Sequence, residues 1–256
     1  MNKPVILITN DDGITASGIR HLINLMSQLG DVVIVAPDKP QSGMGHAVTF
    51  SSPLRVNLLS SQPGYLEYSC NGTPVDCVKL GQKVILKRNP DLIVSGINHG
   101  SNTSINILYS GTMAAVLEGA MENIPSIGFS LDDHSSMADF SHIDEYILSI
   151  SRFVLANGLP PYGCLNVNFP AKQIEKIKGV KVVRQGKAYW DEEFEERKDP
   201  RHRKYYWLSG QFRNIDSGTD NDEWAVSNNY VSIVPVKHDM TDYSAIEKLS
   251  KWNFNE

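Results

Sequence analysis

The sequence predicts an α/β protein with a mostly parallel sheet covered by helices on both faces. Two observations carry this. Short, β-rich apolar runs alternate with helical patterns through the first two-thirds of the chain. The runs are apolar almost throughout, as strands buried on both faces are, rather than alternating with polar residues. A length of 256 residues fits one large domain, or a domain with an appendage.

The elements follow in order. PVILITN (4–10) reads as a strand and ASGIRHLINLMSQLG (16–30) as an amphipathic helix. In that helix Ile19, Leu22, Ile23 and Met26 share one face, three or four residues apart. DVVIVAP (31–37) is the second strand. NGTPVDCVKLGQKVILK (71–87) begins as a helix does, with Thr73 as cap, Pro74 at the first position and Asp76 in the first turn. PDLIVSGIN (90–98) reads as the third buried strand, SGTMAAVLEGAMEN (110–123) as a helix of small and apolar residues, and IPSIGFSL (124–131) as the fourth strand. DEYILSISRFVLANG (144–158) is a further helix, followed by strands CLNVNFP (164–170) and GVKVVRQG (179–186).

From about residue 186 the character changes. The stretch from Lys187 to Trp224 mixes aromatics with dense charge and has no core periodicity, and YVSIVPV (230–236) is a last strand. One reading of the middle stretch is a solvated excursion. However, Tyr189, Trp190, Phe194, Tyr205, Tyr206, Trp207 and Phe212 are many large apolar groups for a loop, and such surface needs somewhere to be buried. The expectation is an arm that packs against another subunit, far from the chemistry. The division expected is therefore a catalytic core over 1–185 and an extension with the last strand over 186–256.

Composition excludes several classes. A charged fraction of 21% and a hydrophobic fraction of 41% are ordinary for a globular protein, and a net charge of −5 argues against broad nucleic-acid binding. No apolar run approaches the ~18 residues of a membrane span, and no signal-peptide pattern is visible. Cys70, Cys77 and Cys164 lack metal-ligand spacing and read as reduced thiols of a cytoplasmic protein.

In an open parallel sheet, ligands bind outside the carboxyl ends of the strands. The first strand is followed by Asn10, Asp11, Asp12 and Gly13, and the second by PDKPQSGMGHAVT with Ser42. The third is followed by SGINHGSN with Asn98 and Asn102, and YSGTM then sets Ser110, Gly111 and Thr112 at the start of a helix. All four loops fall at one edge. Adjacent carboxylates each raise the cost of ionising the other, so a positive partner is expected. Carboxylates, a hydroxyl and an amide are hard oxygen donors that suit Mg²⁺ or Mn²⁺. A helix start with free N–H groups and hydroxyls favours a phosphate. Together they suggest phosphoryl hydrolysis at a divalent cation.

Each of these residues also has a plainer role. Adjacent aspartates can form a turn, Ser42 and Asn98 can shape loops, and SGT commonly caps a helix. His46 and His99 lie near the same edge, where a lone histidine is more often structural than catalytic. No G-x-G-x-x-G fingerprint supports a dinucleotide-dependent oxidoreductase. A non-catalytic nucleotide- or anion-binding module is the alternative. Phosphatases that form an aspartyl-phosphate open with DxDG, but that pattern laid on NDDG puts the nucleophile position at Asn10, and an amide cannot replace it. Direct attack by metal-activated water is the expected route.

ILITNDDGITASGI, APDKPQSGMGHAVT, NGTPVDCVKLG, PDLIVSGINHGSN and ILYSGTMAAVLEGA together resemble the SurE family, the survival-protein-E nucleotidases. The likeness continues through DPRHRKYYW and YVSIVPVKHDMTDY. It implies a metal-dependent phosphatase of nucleoside 5′- and 3′-monophosphates, with short polyphosphate a substrate of some members. It implies one divalent ion per subunit, Mg²⁺ or Mn²⁺, on Asp11, Asp12, Ser42 and Asn98. Asp11, Asp12 and Asn98 would be catalytic, Ser110, Gly111 and Thr112 would contact phosphate, and Asn71 of NGTP would line the substrate pocket. The implied fold is a Rossmann-like core with a protruding hairpin and an exchanged C-terminal segment, assembled as a homodimer or homotetramer. Departures from the family pattern are His99 after Asn98 and Met113 after YSGT, and neither removes a ligand.

Overall fold

A computed structural model describes residues 3–254. The apolar run after Pro4 forms β1 (Val5–Thr9), and the face of α1 (Ser17–Met26) that carries Ile19, Leu22, Ile23 and Met26 is buried. β2 (Asp31–Pro37) follows, then a hairpin of β3 (Val56–Gln62) and β4 (Tyr65–Cys70). α2 (Pro74–Leu80) opens with a capping box in which Thr73 accepts from the Asp76 N–H and Asp76 accepts from the Thr73 N–H. It passes into a π-helical turn over Gly81–Leu86. β5 (Leu92–His99), α3 (Gly111–Met121), β6 (Ser126–Leu131), α4 (Asp144–Asn157), β7 (Gly163–Phe169) and the short β8 (Val180–Val182) continue the chain. Among the described residues β9 (Ala188–Lys198) and β10 (Lys204–Asn214) pair only with each other, and α5 (Asp222–Ser227), β11 (Val231–Lys237) and α6 (Tyr243–Leu249) follow.

Nine strands form one sheet in the order β3-β4-β2-β1-β5-β6-β7-β11-β8. The six from β4 to β7 are parallel and run outward in both directions from the β1–β5 pair. This is the order of a doubly wound, Rossmann-like sheet, and its winding reverses between β1 and β5. β3 is antiparallel to β4, and β11 is antiparallel to β7 while parallel to β8. Side chains alternate across the sheet. Ile6 and Ile8 pack with α1 and α4 on one face, and Leu7 packs with α2 and α3 on the other.

The β3–β4 hairpin lies between the strands read as second and third in the sequence, so the strand over 92–99 is the fifth. β4 carries Glu67 into the core edge, where it pairs with Arg20 at 2.6 Å, and this charge hides the strand from a search for apolar runs. The segment after residue 185 is not separate from the core, because β11 is hydrogen-bonded between β7 and β8. The three cysteines are free and buried, and burial pushes the Cys164 thiol up to about 12. Among the described residues no helix is long and apolar enough to cross a membrane.

Candidate metal centre and phosphate turn

Asp11 and Asp12 leave the end of β1 at the point where the winding of the sheet reverses, the usual crevice for a ligand in such a fold. Gly13 takes a φ of 95°, which turns the chain so that the Ile14 N–H donates to the Pro37 carbonyl at 2.8 Å. The Asn10 amide donates to the Gly13 carbonyl at 2.9 Å and holds that turn.

Each of the other loops touches one member of the aspartate pair. The Gln41 N–H donates to the Asp11 carbonyl at 2.7 Å, which brings the loop of Ser42 against β1. The Thr112 hydroxyl donates to Asp11 Oδ1 at 2.7 Å. A Cβ on Gly111 would lie 2.8 Å from Asp11 Cβ and 3.1 Å from Oδ2, so the start of α3 packs directly on the carboxylate. Ser110 caps that helix, its hydroxyl accepting from the Met113 N–H at 3.0 Å. At the end of β5, His99 donates its backbone N–H to Asp12 Oδ2 at 3.3 Å and sets Nδ1 3.0 Å from the same oxygen. The amide nitrogen of Asn98 donates to the Gly100 carbonyl at 2.7 Å, so its Oδ1 remains as the acceptor.

Asp11 is only 4% exposed. Burial raises its carboxyl pKa above the ordinary carboxylate value, Thr112 opposes this, and the charge of Asp12 adds to it. Asp12 pairs with His99, whose own pKa is raised first by that hydrogen bond, against burial. Among the described residues neither carboxylate pairs with a lysine or arginine. Two adjacent carboxylates, one of them buried, next to a hydroxyl-bearing loop and an amide oxygen therefore make a donor set that fits a hard divalent cation.

The family model described as survival protein SurE matches residues 6–192. The chain belongs to the SurE family. The 5′-nucleotidase SurE of Flavobacterium psychrophilum is 55% identical over 257 residues, covering 100% of both chains. That of Cytophaga hutchinsonii is 53% identical over 256 residues, covering 99% of each. The crystal structure of the SurE protein from Aquifex aeolicus matches with a TM-score of 0.83 and 39% identity, covering 96% of this chain and 98% of that one.

In this SurE fold the candidate residues divide into two groups. Asp11, Asp12, Gly111 and Thr112 meet directly, and Ser42 and Asn98 each stand one residue from a hydrogen bond to the aspartate pair. Asn71 is occupied otherwise, its Oδ1 accepting from Arg55 N–H at 2.7 Å and its Nδ2 donating to Pro53 O at 3.2 Å. Asn102 is buried and holds its loop down: its N–H reaches Asn168 Oδ1 at 2.7 Å and its amide reaches Ser130 at 2.8 Å. His46 sits 3.1 Å from Glu118 and ties the Ser42 loop to α3. His99, near the edge and read from the sequence as more often structural than catalytic, contacts Asp12 across 87 positions. The arm is also nearer than expected: Trp190 donates to Asn106 at 2.8 Å and shares a cleft with Gly43, the residue after Ser42.

Proposed function

We propose that this chain is a metal-dependent nucleotidase that hydrolyses nucleoside 5′- and 3′-monophosphates by direct attack of water. The observation that carries the reading is the convergence of two loops and the α3 N-terminus on the Asp11–Asp12 pair. Relatives named 5′-nucleotidase SurE, 55% and 53% identical over their whole length, support it. Asp11, Asp12, Ser42 and Asn98 would hold one Mg²⁺ or Mn²⁺, which when bound offsets both carboxylates, draws charge from the phosphoryl oxygens and activates water. The N–H groups of Ser110, Gly111 and Thr112 and the Ser110 hydroxyl orient the phosphate at the positive end of α3. The Thr112 hydroxyl gives its single proton to Asp11 and holds that carboxylate in place. Asn10 stands where a covalent route would need a carboxylate, which favours a single displacement.

The deciding assay is phosphate release from AMP with Mn²⁺ and with EDTA. Release that depends on the metal is expected. Release undiminished by EDTA rejects the metal, and no release under any condition rejects the nucleotidase.

A further inference from the structure

The two aspartates of the centre are each engaged by the protein on one oxygen. Asp11 accepts from Thr112 through Oδ1. Asp12 receives both of its side-chain hydrogen bonds from the described residues on Oδ2: the backbone N–H of His99 at 3.3 Å and ring Nδ1 of His99 at 3.0 Å. An ionised carboxylate can only accept, so Nδ1 is the atom that carries the hydrogen.

The ring that makes this contact is fixed from three sides. Its backbone ends β5. Its Nε2 stands 3.1 Å from the hydroxyl of Ser17, the first residue of α1. Nε2 accepts from that hydroxyl when the ring is neutral and donates to it when the ring is charged, so the orientation is the same in either state. Buried Phe140 meets the ring edge-on, with centroids 5.4 Å apart and an interplanar angle of 82°. Only 15% of the His99 side chain is exposed.

We propose that His99 is a metal-selecting residue, which by occupying Asp12 Oδ2 leaves Asp12 a single oxygen for the cation. The proposal rests on the metal-centre reading of the aspartate pair. With Asp11 limited in the same way by Thr112, the pair offers one free oxygen per carboxylate. Mg²⁺ is small, demands octahedral geometry and is satisfied by one oxygen from each of one or two carboxylates. Ca²⁺ is larger, takes more ligands and readily uses both oxygens of one carboxylate. The centre is therefore built against Ca²⁺. His99 acts through Asp12 and is a positioning residue.

The test follows Mn²⁺ bound to the full chain by electron paramagnetic resonance, without nucleotide, and displaces it with Mg²⁺ or Ca²⁺. His99→Ala should raise the Mn²⁺ Kd by about tenfold or more, the usual cost of losing a group that orients a metal ligand. It should also shift the Ca²⁺ to Mg²⁺ displacement ratio severalfold toward Ca²⁺. His99→Asn should keep the parental ratio, because its Nδ2 lies as many bonds from the backbone as His Nδ1 and can donate to the same oxygen. A parental ratio in His99→Ala overturns the proposal and leaves the metal centre standing. His99→Asn behaving as His99→Ala also overturns it, since the ring would then matter for packing alone. A parent protein that binds no Mn²⁺ removes the metal centre and the proposal together. Should His99→Ala fail to fold, Ser17→Ala loosens the ring from an exposed position. It should shift the ratio in the same direction by less, and a parental ratio there overturns the proposal.

Discussion

The Thr112 hydroxyl donates to Asp11 Oδ1 over 2.7 Å, across 101 positions of sequence. One residue thus opens the phosphate helix and steadies the most buried carboxylate of the centre. Removing the hydroxyl in Thr112→Val takes away a bond that favours the ionised carboxylate, so the already raised pKa of Asp11 rises further. The proton then competes better with the metal. Half-saturation by Mn²⁺ should rise roughly tenfold or more, as expected for a lost bond to a charged group. The acid limb of the activity profile should move to higher pH. A metal titration and pH profile matching the parent protein would reject the role.

Asp11 itself disfavours the metal-free fold. Its folded pKa lies above the ordinary carboxylate value, so the native state binds the proton more tightly than the unfolded chain does. The cost is absent below the unfolded value, grows as pH rises from the unfolded toward the folded value, and is complete above the folded value. Asp11→Asn should therefore abolish turnover yet leave the melting temperature in EDTA at pH 7 equal to or above that of the parent protein. A clear fall in that temperature contradicts the assignment.

Gly111→Ala places a methyl group 2.8 Å from Asp11 Cβ. Something must move, and the carboxylate is what stands there. Loss of most activity is expected with the secondary structure intact by circular dichroism. A variant with parental kcat and metal affinity would show that α3 does not need to press on Asp11.

The single-displacement route has a stereochemical signature. Hydrolysis of a chiral phosphate in ¹⁸O-water should invert configuration at phosphorus. Retention, or a trapped phosphorylated side chain, points to a covalent intermediate.

The outer face and tip of the arm carry Tyr205 and Trp207, 40% and 58% exposed, and Tyr206 adds a third exposed ring at 56%. A two-stranded ribbon standing alone is marginal in water, and a neighbouring subunit would supply the missing cover. Replacing these three residues together with serine should shift sedimentation toward the monomer. Sedimentation identical to the parent protein would remove the arm from the interface.

The parallel strands were legible in the sequence because VILIT, DVVIVAP and SIGFSL are apolar on both faces. The β3–β4 hairpin was not, since β3 is a mostly exposed edge strand and β4 places polar Glu67 and Ser69 at buried positions. The start of α2 was legible from Thr73, Pro74 and Asp76; its passage into a π-helical turn at Gly81, where a Cβ would come within 2.7 Å of Leu7 Cδ1, was not. Asp11, Asp12 and Thr112 stood out because strand ends and helix starts are local patterns. The partnership of Asp12 with His99 and the seat of Trp190 over Asn106 join distant segments and leave no periodic trace.

The place of β11 also governs the order in which the molecule can be completed during synthesis. β8 has no sheet partner among the described residues except β11, and both strands of the arm are translated between them. Until Val231 and its successors leave the ribosome, the outer edge of β7 is open and β8 hangs unpaired beside it. An unprotected edge of this kind recruits strands from other chains. A chain cut short before Val231 therefore loses more than a tail: it leaves the sheet unsealed and is expected to aggregate before its arm can find a partner.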